Sequence, residues 1–256
     1  MEHQNKTAII TGGSKGIGAA AVKIFVREGA NVGILDVDEK NGEQLAAEFG
    51  SKVMFIKCNV ARESEVEHAT QQVASNFGQI NYLVNNAGIQ HYSRITETTE
   101  EEWDEVMNIN LKSAFLCAKH AIPYMQKTGS GVVVNVSSVQ AMMSQNNVCP
   151  YTTSKTAMLG LTRSIAVDYA PEIRSVAICP GSVDTPMLHW GFSQSSDPEA
   201  VFQEAKDMHL LKRVAKPEEV AELISFVCSN RAPFITGQSI RIDGGLGVTI
   251  MGSKRD

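Results

Sequence analysis

No apolar stretch of this 256-residue chain is long enough to cross a bilayer, and no run of lysines and arginines forms a basic patch. The first absence predicts a chain without membrane spans. The second, with a net charge of -5, removes the electrostatic reason to approach nucleic acid or an anionic membrane surface. The N-terminal residues run into an apolar strand without the apolar core of a secretion signal, so a cytoplasmic location is expected. Cysteine is sparse and scattered: Cys58, Cys117, Cys149, Cys179 and Cys228 form no Cys-x-x-Cys pair and have no histidine at metal-ligand spacing. Reduced thiols and no metal centre are expected. Linkers, low-complexity tracts and repeats are also missing, and residues 1–256 read as one domain.

What the chain does have is an alternation of short β-branched runs with helical patterns. Strands are expected at 7–11, 31–36, 53–57, 81–85, 132–137, 175–179 and 239–242. Most are continuous apolar runs, as suits strands covered on both faces, and the helical segments between them supply right-handed crossovers. The expected fold is therefore α/β: a doubly wound, parallel, seven-stranded sheet with helices on both faces. The least regular stretch, 187–211, mixes Trp190, Gly191 and Phe192 with several serines and Pro198, and reads as a mobile cover.

The segment Thr11-Gly12-Gly13-Ser14-Lys15-Gly16-Ile17-Gly18 joins the first strand to a helix beginning near Ile17. Glycine there lets the backbone turn tightly and admits a pyrophosphate to the positive end of a helix. Asp36 follows at the end of the second strand, where a carboxylate can bind ribose hydroxyls, and the unit as a whole reads as Rossmann-type. Lys15 argues the other way, because a cation in this loop can meet a ribose 2'-phosphate. Asp38 and Glu39 read as the start of the next helix. Asp36 is taken to outweigh Lys15, which makes NAD the expected cofactor.

Tyr151 and Lys155 stand four residues apart on a segment that reads as a helix starting just after Pro150, so they share a face. A free phenol has a pKa near 10, and making it a base near neutral pH needs about 4 kcal/mol of preferential phenolate stabilisation, which a neighbouring ammonium can help supply. With five tyrosines in the chain the spacing alone proves little. Around it, however, stand the loop 11–18, Asn85-Asn86-Ala87-Gly88, Asn110, Ser137-Ser138, Pro180-Gly181 with Thr185, Ile235-Thr236-Gly237 and Asp243-Gly244-Gly245. In their order and spacing the chain resembles the short-chain dehydrogenase/reductase family, in its form of roughly 250 residues, over nearly its whole length.

That resemblance implies an oxidoreductase moving a hydride between nicotinamide and a carbinol or carbonyl carbon. Ser138 would bond the substrate oxygen, Tyr151 exchange its proton, Lys155 hold the nicotinamide ribose and lower the tyrosine pKa, and Asn110 help order a water. It places Gly12, Ser14, Lys15, Gly16, Ile17, Gly18 and Asp36 around the cofactor's first half. Asn86, Ala87 and Gly88 would line it, and Pro180, Gly181, Val183 and Thr185 would lie at the carboxamide end. Asn59, beside Val60 at the adenine, stands where many relatives carry aspartate; its amide oxygen can still accept.

The substrate is less legible. Gln90, His91, Gln140 and His189 are candidate polar contacts beside Ser138 and Tyr151; Met142, Met143, Cys149, Met187 and Trp190 are further wall candidates. The segments 138–141, 164–171 and 179–186 resemble the aldose dehydrogenase branch, which implies oxidation of a sugar to its lactone. The alternatives are a hydroxysteroid or other secondary-alcohol dehydrogenase, a 3-oxoacyl reductase, and, outside catalysis, a silent cofactor-binding scaffold. In relatives the helical stretches corresponding to 100–126 and 151–169 pair across two-fold axes, so a homotetramer is expected, with the tail after Gly247 able to reach a neighbour.

Overall fold

A computed structural model, which describes residues 1–248, places the strands at β1 (Thr7–Thr11), β2 (Asn31–Asp36), β3 (Val53–Lys57), β4 (Tyr82–Asn85), β5 (Gly131–Val136), β6 (Ile173–Pro180) and β7 (Ser239–Ile242). They form one parallel sheet in the order β3-β2-β1-β4-β5-β6-β7. Each boundary lies within two residues of the sequence expectation, because the apolar runs have no competing reading once Gly and Asn bound them. The pleat divides the core between two faces. Ala8 and Ile10 of β1 pack toward α1 (Gly16–Arg27) and α9 (Pro217–Cys228). Ile9 packs oppositely, toward α3 (Glu63–Phe77) and α5 (Ser113–Lys127).

The chain winds outward from β1 through β2 to β3, then returns to add β4 on the other side. The loops after β1 and β4 therefore diverge at the carboxyl edge of the sheet, leaving the crevice where ligands settle in such folds. α2 (Glu39–Phe49) starts from Asp38, whose carboxylate accepts the Asn41 N–H at 3.2 Å. α6 (Cys149–Tyr169) begins two residues earlier than expected, with Pro150 in its first turn.

Two regions depart from the sequence reading. The stretch taken as irregular is mostly helical: α7 (Pro186–Ser193) starts at a Thr185 cap and α8 (Pro198–Met208) at an Asp197 cap, each followed at once by proline. Of the serines that suggested a loop, Ser193 ends α7 and Ser195 and Ser196 fill the joint between the helices. The helix expected from 100 to 126 is interrupted: α4 (Glu100–Met107) passes through a π turn (Asn108–Lys112) before α5. Of the tail after Gly247, all but Val248 lies outside the described residues.

Candidate active site

The carboxyl ends of the strands enclose a cavity of about 810 Å³ that runs from Asp36, past the β1 loop, to Tyr151 and the cover helices. Its floor at one end is the glycine loop. Gly12 has φ +61° and lies where a Cβ would come within 2.9 Å of the Ala87 backbone, so only glycine fits there. Asn86 locks this turn, donating through Nδ2 to the carbonyls of Thr11 and Gly12 at 3.0 and 2.9 Å. Among the described residues the amides of Gly16, Ile17 and Gly18 find no hydrogen-bond partner, since α1 begins at Gly16 without a side-chain cap. Unpaired donors at the positive end of a helix suit a pyrophosphate, so the residues present fit a dinucleotide. Ser14 and Gly18 do not line the cavity: the Ser14 amide donates to Asp36 at 2.9 Å, and Gly18 packs beneath Gly12 and Asn86.

Asp36 is fixed from both sides, accepting from the amides of Ser14 and Asp38 at 2.9 and 3.0 Å. Each carboxylate oxygen keeps a lone pair for a further donor. Lys15 does not stand free beside it: its Nζ lies 2.5 Å from Asp38 Oδ2. The Lys15 ammonium, followed by the Asn41 amide, holds the Asp38 carboxyl down at about 2. Asn59 and Val60 line the same end, with the Asn59 side-chain oxygen accepting from the Ala61 amide at 3.0 Å.

At the other end Ser138, Tyr151 and Lys155 converge. Ser138 lies two residues beyond β5, and its hydroxyl accepts the Gln140 amide at 3.1 Å. Tyr151 and Lys155 rise one turn apart on α6, with the lysine Nζ 5.6 Å from the centre of the phenol ring. Lys155 is almost fully buried and donates to the Val136 carbonyl at 2.9 Å. Burial draws its pKa down to about 8. Burial also pushes the Tyr151 phenol up to about 12, with the Ser138 hydroxyl pulling it partly back. The protein alone therefore holds a charged lysine beside a neutral tyrosine at neutral pH.

Asn110 sits in the π turn, fully buried. Its side chain is spent on structure: Oδ1 accepts the Ile89 amide at 2.8 Å, and Nδ2 donates to the Ile89 carbonyl and to Ser154 Oγ at 2.9 and 3.1 Å. It thereby ties the segment after β4 to α6. Any water that it orders would have to be held by its backbone or a remaining lone pair.

Of the expected substrate contacts, Gln90 and Gln140 line the cavity and the two histidines do not. His91 Nε2 lies 2.9 Å from a Glu105 carboxylate oxygen and His189 Nε2 lies 2.6 Å from one of Asp184, each within hydrogen-bond distance. Met143 and Met187 line the cavity, whereas Met142, Cys149 and Trp190 do not. Pro180, Gly181, Val183 and Thr185 lie along it. The sequence reading did not single out Tyr92, which lines the cavity, or Glu204 and His209 within the expected cover, and gave Phe192 only as part of that cover. His209 is buried, accepts the Ser182 amide at Nε2 (3.1 Å) and donates from Nδ1 to the Ala205 carbonyl (2.6 Å). It anchors α8 to the loop after β6, a contact that no local pattern announces.

Residues 12–247 match the family model described as enoyl-(acyl carrier protein) reductase. An oxidoreductase of Thermotoga maritima without an assigned substrate is 40% identical over 249 residues, covering 96% of this chain and 98% of its own. The chain belongs to the short-chain dehydrogenase/reductase family. As an oxidoreductase of this family acting on CH-OH donors, it has solved neighbours of different specificity. The aldohexose dehydrogenase of Thermoplasma acidophilum, solved ligand-free, is 37% identical with a TM-score of 0.92, covering 99% of this chain and 98% of that one. The 3-ketoacyl-(acyl-carrier-protein) reductase of Brucella melitensis, solved with NADH, is 31% identical with a TM-score of 0.88, covering 96% and 99%.

Proposed function

We propose that this short-chain dehydrogenase oxidises the anomeric hydroxyl of an aldose to the lactone, with NAD as hydride acceptor. The observation that carries the reading is the meeting, in one cavity, of Ser138, Tyr151 and Lys155 with a substrate wall bearing the amides of Gln90 and Gln140. Similarity to the Thermoplasma aldohexose dehydrogenase supports the same class. A bound nicotinamide supplies the hydride acceptor and a positive charge that favours phenolate. Ser138 orients the substrate oxygen, Tyr151 takes the hydroxyl proton, and the Lys155 ammonium further stabilises the phenolate. Asn86 holds the glycine turn in shape, and Asn110 fixes the segment after β4 against α6.

Asp36 and the Lys15–Asp38 pair favour NAD over NADP. A 2'-phosphate would face the Asp36 carboxylate with Lys15 already committed to Asp38. At about 4 Å and an effective dielectric near 20, each phosphate charge would be repelled by roughly 4 kcal/mol before screening. The test is NADH formation across aldoses, steroid alcohols and simple secondary alcohols, with product analysis. An aldose as best substrate, with its lactone accumulating, is the expected result; greater activity on steroids than on any sugar overturns the reading. A second reading, reduction of a 3-oxoacyl thioester, is favoured by the Brucella neighbour. Faster NADH oxidation with such a thioester than NAD reduction with any aldose would establish it.

A further inference from the structure

We propose that His209 is a positioning residue that joins the cover to the loop after β6, so that these two walls of the cavity order together when cofactor and substrate bind. The proposal rests on the nicotinamide site of the proposed function and holds for whichever alcohol is oxidised there. Ala205 and Met208 at the end of α8 line one side of the cavity, and Gly181, Ser182 and Val183 after β6 line another. His209 itself is 2% exposed and does not line the cavity, so it acts through its neighbours. Its two ring bonds run to the two walls: Nδ1 to the Ala205 carbonyl at 2.6 Å, and Nε2 to the Ser182 amide at 3.1 Å. A carbonyl can only accept and an amide N–H can only donate. The ring therefore carries its proton on Nδ1 and offers a lone pair at Nε2.

The backbone around the ring is shaped to admit it. A Cβ on Gly181 would stand 2.6 Å from His209 Nε2, and one on Gly244, which has φ +55°, would stand 3.3 Å from Cδ2. Glycine on both sides leaves the ring its slot. The Ser182 peptide is engaged at both ends, its N–H by His209 and its carbonyl by the Ala215 amide at 2.9 Å. The Ala215 bond supports the loop without help from α8, whereas the His209 bond ties the loop to the end of that helix. An N–H left unpaired at this depth is costly, so removing the ring acceptor would let the two walls part. With the joint made, a ligand that orders one wall favours order in the other. Such a coupling acts on both binding steps and not on proton transfer at Tyr151.

The experiment compares wild type with His209→Gln, His209→Asn and His209→Leu. Glutamine reaches far enough to accept from the Ser182 amide, asparagine keeps a donor for Ala205 but falls short of Ser182, and leucine has neither. NADH affinity is read by fluorescence titration, and the order of α8 by hydrogen exchange of the peptides covering it, with and without saturating NADH. In wild type, NADH is expected to slow exchange across α8 by at least about threefold. His209→Asn and His209→Leu are expected to lose that slowing, to bind NADH at least about fivefold more weakly, and to raise KM for the best alcohol by at least about fivefold, with kcat changing less than KM. His209→Gln is expected to restore the slowing and to bring NADH affinity within about threefold of wild type. Exchange in α8 that does not respond to NADH in wild type overturns the proposal. So does a His209→Leu variant that matches wild type in NADH affinity and exchange, or a folded His209→Gln variant that loses the slowing. Thermal melting shows which variants fold; should His209→Asn and His209→Leu fail to fold, the wild-type response and His209→Gln decide. If no aldose is oxidised, the aldose reading fails, while the NADH and exchange measurements still test the joint.

Discussion

At the scale of single residues, the cofactor end is decided by three side chains. Asp36 is held by two backbone amides, and Lys15, the cation that lines this end of the cavity among the described residues, is bound to Asp38. A preference for NAD of about 30-fold to 1000-fold in kcat/KM follows, equivalent to roughly 2 to 4 kcal/mol. Asp36→Ala should shrink it chiefly by improving NADP. Asp38→Asn keeps a helix cap but releases Lys15, and should raise kcat/KM for NADP further when added to Asp36→Ala. Equal use of both coenzymes by the wild type would show that the pairing is weighed wrongly. The other end predicts a pH dependence. The proposed oxidation would need Tyr151 deprotonated, while burial raises its pKa to about 12 and leaves Lys155 at about 8, charged at neutral pH. Below the apparent pKa of the assembled site, kcat/KM for oxidation should therefore rise as pH rises, approaching tenfold per unit. A profile that falls between about pH 6 and 7.5, where Lys155 keeps its charge, would contradict the role of Tyr151 as base.

At the scale of elements, the strands and the placement of Tyr151 and Lys155 on one helix were legible because each rests on local pattern: continuous apolar runs, and a four-residue spacing on α6. The helices of the cover were legible too in the pairs Thr185-Pro186 and Asp197-Pro198, a cap and a first-turn proline in each case. Trp190, Gly191 and the serines outweighed that signal in the sequence reading. That His91 lies off the cavity wall was not legible, because Glu105, fourteen residues on, meets it only in the folded chain; His189 meets Asp184 just five residues back. The π turn at Asn108–Lys112 likewise leaves no composition mark. Packing between elements yields a stability prediction. Gly33, in the middle of β2, lies directly under Val73 of α3, so a methyl group there would overlap the valine side chain. Gly33→Ala should lower unfolding stability by about 1 to 3 kcal/mol. Urea denaturation followed by circular dichroism checks it, and an unchanged midpoint would show that α3 docks more loosely.

At the scale of the whole molecule, the sheet order brings every proposed functional group to one edge. The loops after β1, β4, β5 and β6 each contribute, although they are separated by up to most of the chain. The opposite problem is the outer surface. Phe115 on α5 is half exposed and Val167 on α6 is 80% exposed, positions that a partner copy would cover at low cost. We expect a homotetramer built on these helices. Light scattering should give a mass near four times 27.8 kDa at micromolar concentration, and a monomer would refute the assembly. At that edge the cavity converges on a single phenol, Tyr151. The direct test is turnover of Tyr151→Phe, with NAD and the best alcohol saturating and the chemical step shown to be rate-limiting. A loss of at least about 100-fold with NADH affinity retained is predicted. A variant that keeps more than about a tenth of wild-type turnover would contradict it.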